Sequence, residues 1–454
     1  MHRSSVVFAG AESISAPKRG QRTKVARQLL ILVRFQTHST LAFILAVSLL
    51  PACRPCARVE NEYSNRLRDE LAMVGSGLTV DTGLTDHVRV TLTDSAFQYA
   101  AASLGEVEVF RPAARQITVR IPGSRTIVVE GELVARLISV QAVAADDGRV
   151  ILMTVDSIVS YEIDGLERRS SFIATTARTT IRAPLAFLPV DGTALLAVDM
   201  ADAQLAELGL EGVELESAIP ADLAESLATS LMEEVIENAP EFLPVLTFPR
   251  IDLAWSTLEV APSSLLVDSE TGAITMGLVT PLRPRGRMAA SAPPSEDGFV
   301  MDLHPDLWQS AMTHLQAVGR MPRRFNEEGD PTITGTIGVG VDWAIASRNR
   351  MELKSTSWCF GVTRCRVESH VADGRFGAVN GQVTVSFAGR AETPESWEPS
   401  MLAAARDTAA SLLNPTPLRL EAGSQLNLQV ERASASPSGI RLEGTVDSRP
   451  AEVL

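Results

Sequence analysis

The chain has 454 residues, 45% hydrophobic and 21% charged, with four Cys, six His and a formal net charge of -14. This is the composition of a globular chain with room for two or three domains, and it excludes a disulfide-built miniprotein. So few His and Cys leave little from which to assemble a metal cluster, and the acidic balance argues against a nucleic-acid partner.

The charge is unevenly spread. Up to Ala52 seven basic residues stand against the single acid Glu12, whereas from Cys53 onward 34 basic residues face 54 acidic ones. Between the zones lies the apolar run Leu41 to Leu50, too short to span a bilayer and of the length of a signal-peptide h-region. The string Leu50-Pro51-Ala52-Cys53 that follows resembles a bacterial lipobox. That resemblance implies cleavage before Cys53, acylation of its thiol and a membrane anchor. Arg54, in place of an Asp, implies sorting to the outer membrane by the pattern of enteric bacteria. The leader is long, and initiation near Val33 would leave an ordinary n-region carrying Arg34.

The expected organisation is a leader and signal peptide over 1–52, a lipidated tether over 53–86 with a short helix from Glu60 to Leu71, a first domain over 87–281, a linker over 282–296 rich in Pro, Arg, Ala and Ser, and a second domain over 297–454. Val88 to Leu92 alternates as a strand. Phe97, Ala100, Ala101 and Leu104 then fall at helical spacing. Gly131 to Ala144 and Arg149 to Asp164 form two long strands joined by an Asp147-Gly148 turn. A helix over Ala221 to Asn238 carries Leu223, Leu227, Leu231 and Val235 in one stripe and stops at Pro240. Cys359 and Cys365 bracket Phe-Gly-Val-Thr-Arg; if the flanks pair as antiparallel strands the two sulfurs meet in a disulfide, and Cys56 is left over.

The chain also matches itself. A shift of 211 lays Leu92, Gln98, Ala100 and Leu104 on Leu303, Gln309, Ala311 and Leu315, with Phe97 on Trp308. A helix over Met401 to Leu413, stopped by Pro415, answers the helix at 221–238. A second match sets Ala261-Pro-Ser-Ser-Leu265 against Ser436-Pro-Ser-Gly-Ile440, near an offset of 175 to 181, so that the later half is about thirty residues shorter. The fold class expected is α+β, with two pseudo-repeated domains, each a long, highly twisted antiparallel sheet wrapped on a long amphipathic helix.

The segment Val90-Thr-Leu-Thr-Asp-Ser-Ala-Phe-Gln-Tyr-Ala, the long hairpin, the Leu-striped helix running into Pro240-Glu-Phe-Leu-Pro-Val-Leu-Thr-Phe-Pro249 and the two-half plan resemble the tubular lipid-binding (TULIP) proteins, in particular the group of bactericidal/permeability-increasing protein and lipopolysaccharide-binding protein. The resemblance covers about residues 87 to 450. It implies binding or transfer of lipid, or another long apolar ligand, held by its acyl chains in an apolar tube. Phe97, Leu104, Leu227, Leu231, Trp308 and Leu315 are the candidate lipid contacts, although ordinary core packing of the same helix faces produces the same stripe. The sequence departs from the cationic antibacterial members, since Lys354 is the one lysine after Cys53. Arg283, Arg285, Arg287, Arg320, Arg323 and Arg324 form a local basic patch, read as solvated charge with headgroup contact as the alternative.

Motifs for chemistry are missing: there is no Gly-x-Ser-x-Gly elbow, phosphate loop or His-Glu-x-x-His. Gly335, Gly338 and Gly340 sit in an alternating strand and lack the third glycine spacing of a dinucleotide fingerprint. His304 and His314 fall on different helix faces, and Asp306, Glu327, Glu328 and Asp330 read as solvated loop residues. No enzyme activity, cofactor or metal is therefore expected. The main rival to lipid binding is a structural or assembly lipoprotein of the cell envelope that meets protein partners through its surface; a hydrolase without a recognisable motif is third.

Overall fold

Each regular segment below follows a short-range pattern in the sequence. The computed structural model describes residues 56–73, 85–102, 115–120, 126–143, 150–163, 173–211, 239–253, 256–284, 298–347, 350–360, 365–420 and 424–449, with positions 229, 233, 236, 237, 286 and 288. The chain divides into units Met1–Arg58 and Val59–Leu454, and the sheets and the core belong to the second.

Helix α1 (Ala57–Met73) comes first, its Val59, Tyr63 and Leu67 in one stripe at a spacing of four. Strand β1 (Val88–Leu92) buries Val88, Val90 and Leu92 and runs into α2 (Asp94–Ala102). Then come β2 (Arg115–Arg120), β3 (Thr126–Val143), β4 (Val150–Ile163), β5 (Ile173–Val190), β6 (Thr193–Asp199) and β7 (Gln204–Glu211). Asp191 and Gly192 make the β5–β6 turn, both at positive φ, the conformation a tight hairpin turn requires. Short strands follow: β8 (Phe242–Phe248), β9 (Ile251–Leu253), β10 (Ser256–Leu258), β11 (Ala261–Val267), β12 (Ile274–Val279) and β13 (Phe299–Leu303). Helix α3 (Leu307–Ala317) leads to β14 (Arg324–Phe325), β15 (Ile337–Ser347), β16 (Arg350–Phe360), β17 (Cys365–Val379) and β18 (Gln382–Gly389). Helix α4 (Glu398–Leu413) precedes β19 (Leu418–Leu420), β20 (Gln425–Ser436) and β21 (Gly439–Arg449).

The architecture is α+β, with two strongly curled antiparallel sheets and few helices. The larger runs β11-β12-β1-β13-β21-β20-β19-β8-β6-β5-β4-β3-β2 with β7 added on β5, the smaller runs β14-β15-β16-β17-β18, and β9 and β10 pair apart as a two-stranded ribbon. The long hairpin expected from sequence forms as β3 and β4, paired from Val143↔Val150 to Val129↔Ile163. The helix expected over 221–238 lies largely outside the described residues, although Thr229, Glu233, Ile236 and Glu237 are helical. The linker at 282–296 and residues 1–55 are also mostly outside them.

The internal duplication is written into the strand register. Under the 211-residue shift Val88 becomes Phe299 and Leu92 becomes Leu303, and these two strands pair with each other: Val88↔Leu303, Val90↔Met301, Leu92↔Phe299. The pairing is its own image, with a pseudo-twofold axis between Val90 and Met301. The flanking bonds obey the same symmetry. Thr93 N–H donates to Gly298 O at 3.0 Å, and His304 N–H, the image of Thr93, donates to the His87 carbonyl, the image of Gly298, at 2.9 Å. Both side chains at that position hold the start of the following helix: Ala96 N–H donates to Thr93 Oγ1 at 3.4 Å, and Asp306 N–H to His304 Nδ1 at 3.1 Å.

The register corrects the second sequence match. Val88 pairs with Leu278 and its image Phe299 with Gly444, so β12 and β21 correspond at an offset of 166. Ala261–Leu265 belongs to strand β11, whereas 436–440 runs from the last residue of β20 through the turn into β21. Short Pro-Ser strings recur in turns and edge strands for local reasons, which is how an unrelated pair came to match.

The Cys359–Cys365 disulfide is also corrected. Strands β16 and β17 do pair as expected, but in a register that sets Cys359 opposite Arg366 and Cys365 opposite Phe360. Directly opposed residues share a sheet face and neighbours along a strand do not. The two cysteines therefore project from opposite faces. Cys359 is a free thiol, and Cys56 and Cys365 are both disulfide-bonded.

Candidate functional site: an arginine-lined groove beside the first helix

The segment read as a tether contains α1, which from Val59 onward is packed on the face of β15 and β16. Tyr63 is fully buried and lies against Trp358 and Phe360, with ring centroids 5.4 and 5.3 Å away. The glycines of β15 make room for it. A Cβ at Gly338 would come within 2.7 Å of the Tyr63 ring, and one at Gly340 within 3.1 Å of Trp358. Polar bonds fix the helix in rotation: Arg66 Nη2 donates to Asp342 Oδ1 at 2.7 Å, Arg66 Nε to Glu70 Oε1 at 2.6 Å, and Trp358 Nε1 to Glu62 Oε1 at 3.2 Å.

Two concavities flank this helix. One, of about 350 Å³, is lined by Arg66, Asp69, Glu70, Arg283, Asp306, His314 and Asp342 among others. Its central Arg66 is already neutralised by Glu70 and Asp342.

The other, of about 450 Å³, is built differently. Tyr63 and Leu67 of α1 form one wall. The turn that follows α3, Gly319 to Arg323, and Arg324 of β14 form the second, and Pro331 to Ile333 close the third. Met321 is buried beneath it, while Ile333 is 93% exposed at its edge, the most exposed large hydrophobic residue among those described. Arg320, Arg323 and Arg324 all line it, and among the described residues none has a carboxylate within salt-bridge distance. Arg324 instead stands 5.3 Å over the ring centroids of both Tyr63 and Phe360, a cation–π arrangement. Arg323 is half-buried, and its Nε and Nη2 are shielded from solvent without a hydrogen-bond partner. Burial lowers its pKa, opposed by the more distant charge of Glu70 and by Tyr63. Glu70 is committed to Arg66.

Of the candidate lipid contacts, Phe97, Trp308 and Leu315 are fully buried in one continuous hydrophobic cluster and line neither concavity. Leu104, Leu227 and Leu231 lie outside the described residues, as do Cys53, Arg285 and Arg287. The structure brings Arg320, Arg323 and Arg324 of the basic patch together and leaves Arg283 in the other concavity. Sequence reasoning missed Tyr63 and Leu67 as part of this site. The signal was present: an apolar stripe at 59, 63 and 67, and glycines at 338 and 340 on one face of a strand.

No family model and no curated protein sequence matches the chain. Among solved structures it overlays on the crystal structure of a lipopolysaccharide binding protein with a TM-score of 0.39 and 10% identity, covering 80% of this chain and 99% of that one.

Proposed function

We propose that the protein binds lipid, or another long apolar ligand, without performing covalent chemistry. The observation that carries this reading is the register of β3, β4 and β5. It aligns Val129 with Ile163, Leu133 with Val159 and Leu137 with Val155, and continues on β5 through Ile173, Thr175, Ala177, Thr179 and Ile181. These positions alternate along the strands and so share one sheet face, over nine residues of each strand. At ~3.3 Å per residue the row extends for roughly 30 Å, about one and a half times the length of an ordinary strand. The sequence places mostly apolar residues at these alternating positions, a pattern that calls for an apolar cover, and an acyl chain gains ~0.8 kcal/mol for each methylene buried. The family resemblance read from the sequence supports the same function, with transfer between membranes as its extended form.

In this reading Cys53 carries the acyl anchor and the protein works at the outer membrane, facing either the periplasm or the cell surface. A second reading, a structural or assembly lipoprotein, is favoured by the tight packing of Phe97, Trp308 and Leu315. Native mass spectrometry of protein purified without detergent separates the two. Stoichiometric lipid is the expected result, and a protein that is consistently empty overturns the proposal. Cys53→Ser is expected to release the protein from the membrane fraction; unchanged fractionation removes the anchor.

A further inference from the structure

The groove beside α1 combines three features that seldom coincide on an acidic protein. It is concave, with a volume inside the usual range of small-molecule sites. Its lining includes Tyr63, Leu67, Met321, Pro322, Pro331 and Ile333, an apolar floor and edge. Three guanidinium groups meet there without carboxylates to neutralise them, in a chain whose net charge is -14 and where arginines elsewhere, such as Arg66, Arg366 and Arg390, are paired with acids. Nε and Nη2 of Arg323 are shielded from solvent, so an anion in the groove would meet this guanidinium through Nη1 and meet Arg320, which is exposed, through its whole fork. The planar fork of arginine matches phosphate oxygens two at a time.

The geometry points to a site for one phosphate-bearing amphiphile, its headgroup held by Arg323 and Arg320 and the start of its chain laid over Leu67, Met321 and Ile333. Arg324 is already engaged by the rings of Tyr63 and Phe360 and contributes mainly long-range charge. This inference deepens the lipid-binding reading and rests on it, but it concerns a different surface from the long apolar row on β3 to β5. The two fail separately: lipid recovered in native mass spectrometry reports on the protein's capacity for chains, and the titration below reports on the groove.

The test is calorimetric titration of the full chain with dodecyl phosphate below its micellar concentration, beside dodecyl maltoside and inorganic phosphate. Dodecyl phosphate is expected to bind at least about tenfold more tightly than either control, and Arg323→Gln to weaken it by about tenfold or more. Arg320→Gln, at an exposed position, is expected to weaken it several-fold with an unchanged melting temperature; it decides the matter should Arg323→Gln fail to fold. Equal affinity for the neutral maltoside would overturn the assignment, as would equal affinity for inorganic phosphate, which marks a simple anion site. Wild-type affinity in Arg320→Gln together with a well-folded Arg323→Gln overturns it too.

Discussion

The two copies of the strand–helix unit, β1 with α2 and β13 with α3, are built on the same positions and used differently. Phe97 and Trp308 are equivalent and both fully buried, as are Ala100 and Ala311. Outside the core the copies part. Gln98 donates to Asp94 Oδ2 on its own helix at 2.7 Å. Its image Gln309 bridges α3 to β15, with Nε2 donating to Val341 O at 2.7 Å and Oε1 accepting from Trp343 N–H at 2.9 Å. Only the second copy leads into the turn whose arginines line the groove beside α1. Packing volume is thus preserved where a side chain has no solvent to relax into, while a polar position changes its partners whenever a new neighbour arrives.

The strongest way to break the comparison is to truncate its matched core. Phe97→Ala and Trp308→Ala are each expected to cost about 3–5 kcal/mol in urea unfolding if both face filled cores. A much smaller loss at Phe97 alone would mean that this residue borders an apolar chamber, and the lipid-contact reading would be sharpened at that position.

Next comes the pH dependence centred on His87, which precedes the first copy. His87 accepts the Thr280 N–H on Nδ1 at 3.0 Å, which requires an unprotonated nitrogen. Burial lowers its pKa to about 4, aided by nearby His304 and opposed by Asp86. The folded state therefore holds a neutral imidazole, whereas the unfolded chain takes up the proton near pH 6.5. The stability this provides is complete above about pH 6.5 and is lost as the pH falls toward 4, by on the order of 3 kcal/mol at most. His304, its own pKa lowered by burial, adds loss in the same direction. The image of His87 is Gly298, which has nothing to titrate. His87→Asn keeps an acceptor and removes the titration, so unfolding followed from pH 7 to 4 is expected to show a flatter slope; an unchanged slope would refute the assignment.

Gly338→Ala forces a methyl against the Tyr63 ring and is expected to cost about 1–3 kcal/mol and to expose α1 to trypsin at Arg66 and Arg68. Gly377→Ala, where no atom lies within 4 Å of the added carbon, serves as the neutral counterpart. The smallest effect expected is at the glutamine pair. Gln309→Ala is expected to lose about 1–2 kcal/mol for two bonds to β15, and Gln98→Ala under about 0.5 kcal/mol, by thermal unfolding; equal losses would show that the two positions have not diverged.

Reading the site from sequence succeeded in part. The arginines at 320, 323 and 324 stood out as a cluster because they are close in the chain. Their aromatic and aliphatic partners did not, because Tyr63 and Leu67 reach them across more than 250 residues. The disulfide expectation failed for a similar reason: the hairpin was legible, but a one-residue difference in register decides which face each cysteine takes.

Local periodicity and composition therefore determined the α+β class, the β3–β4 hairpin, the strand–helix start of each half and the 211-residue duplication, since each depends on residues within a few turns of one another or on direct self-similarity. Tertiary structure alone decided the register of β16 on β17, the true correspondence of β12 with β21, and the seating of α1 on Gly338. Those outcomes depend on how side chains distant in sequence exclude one another once the sheets curl, and no local pattern carries that information.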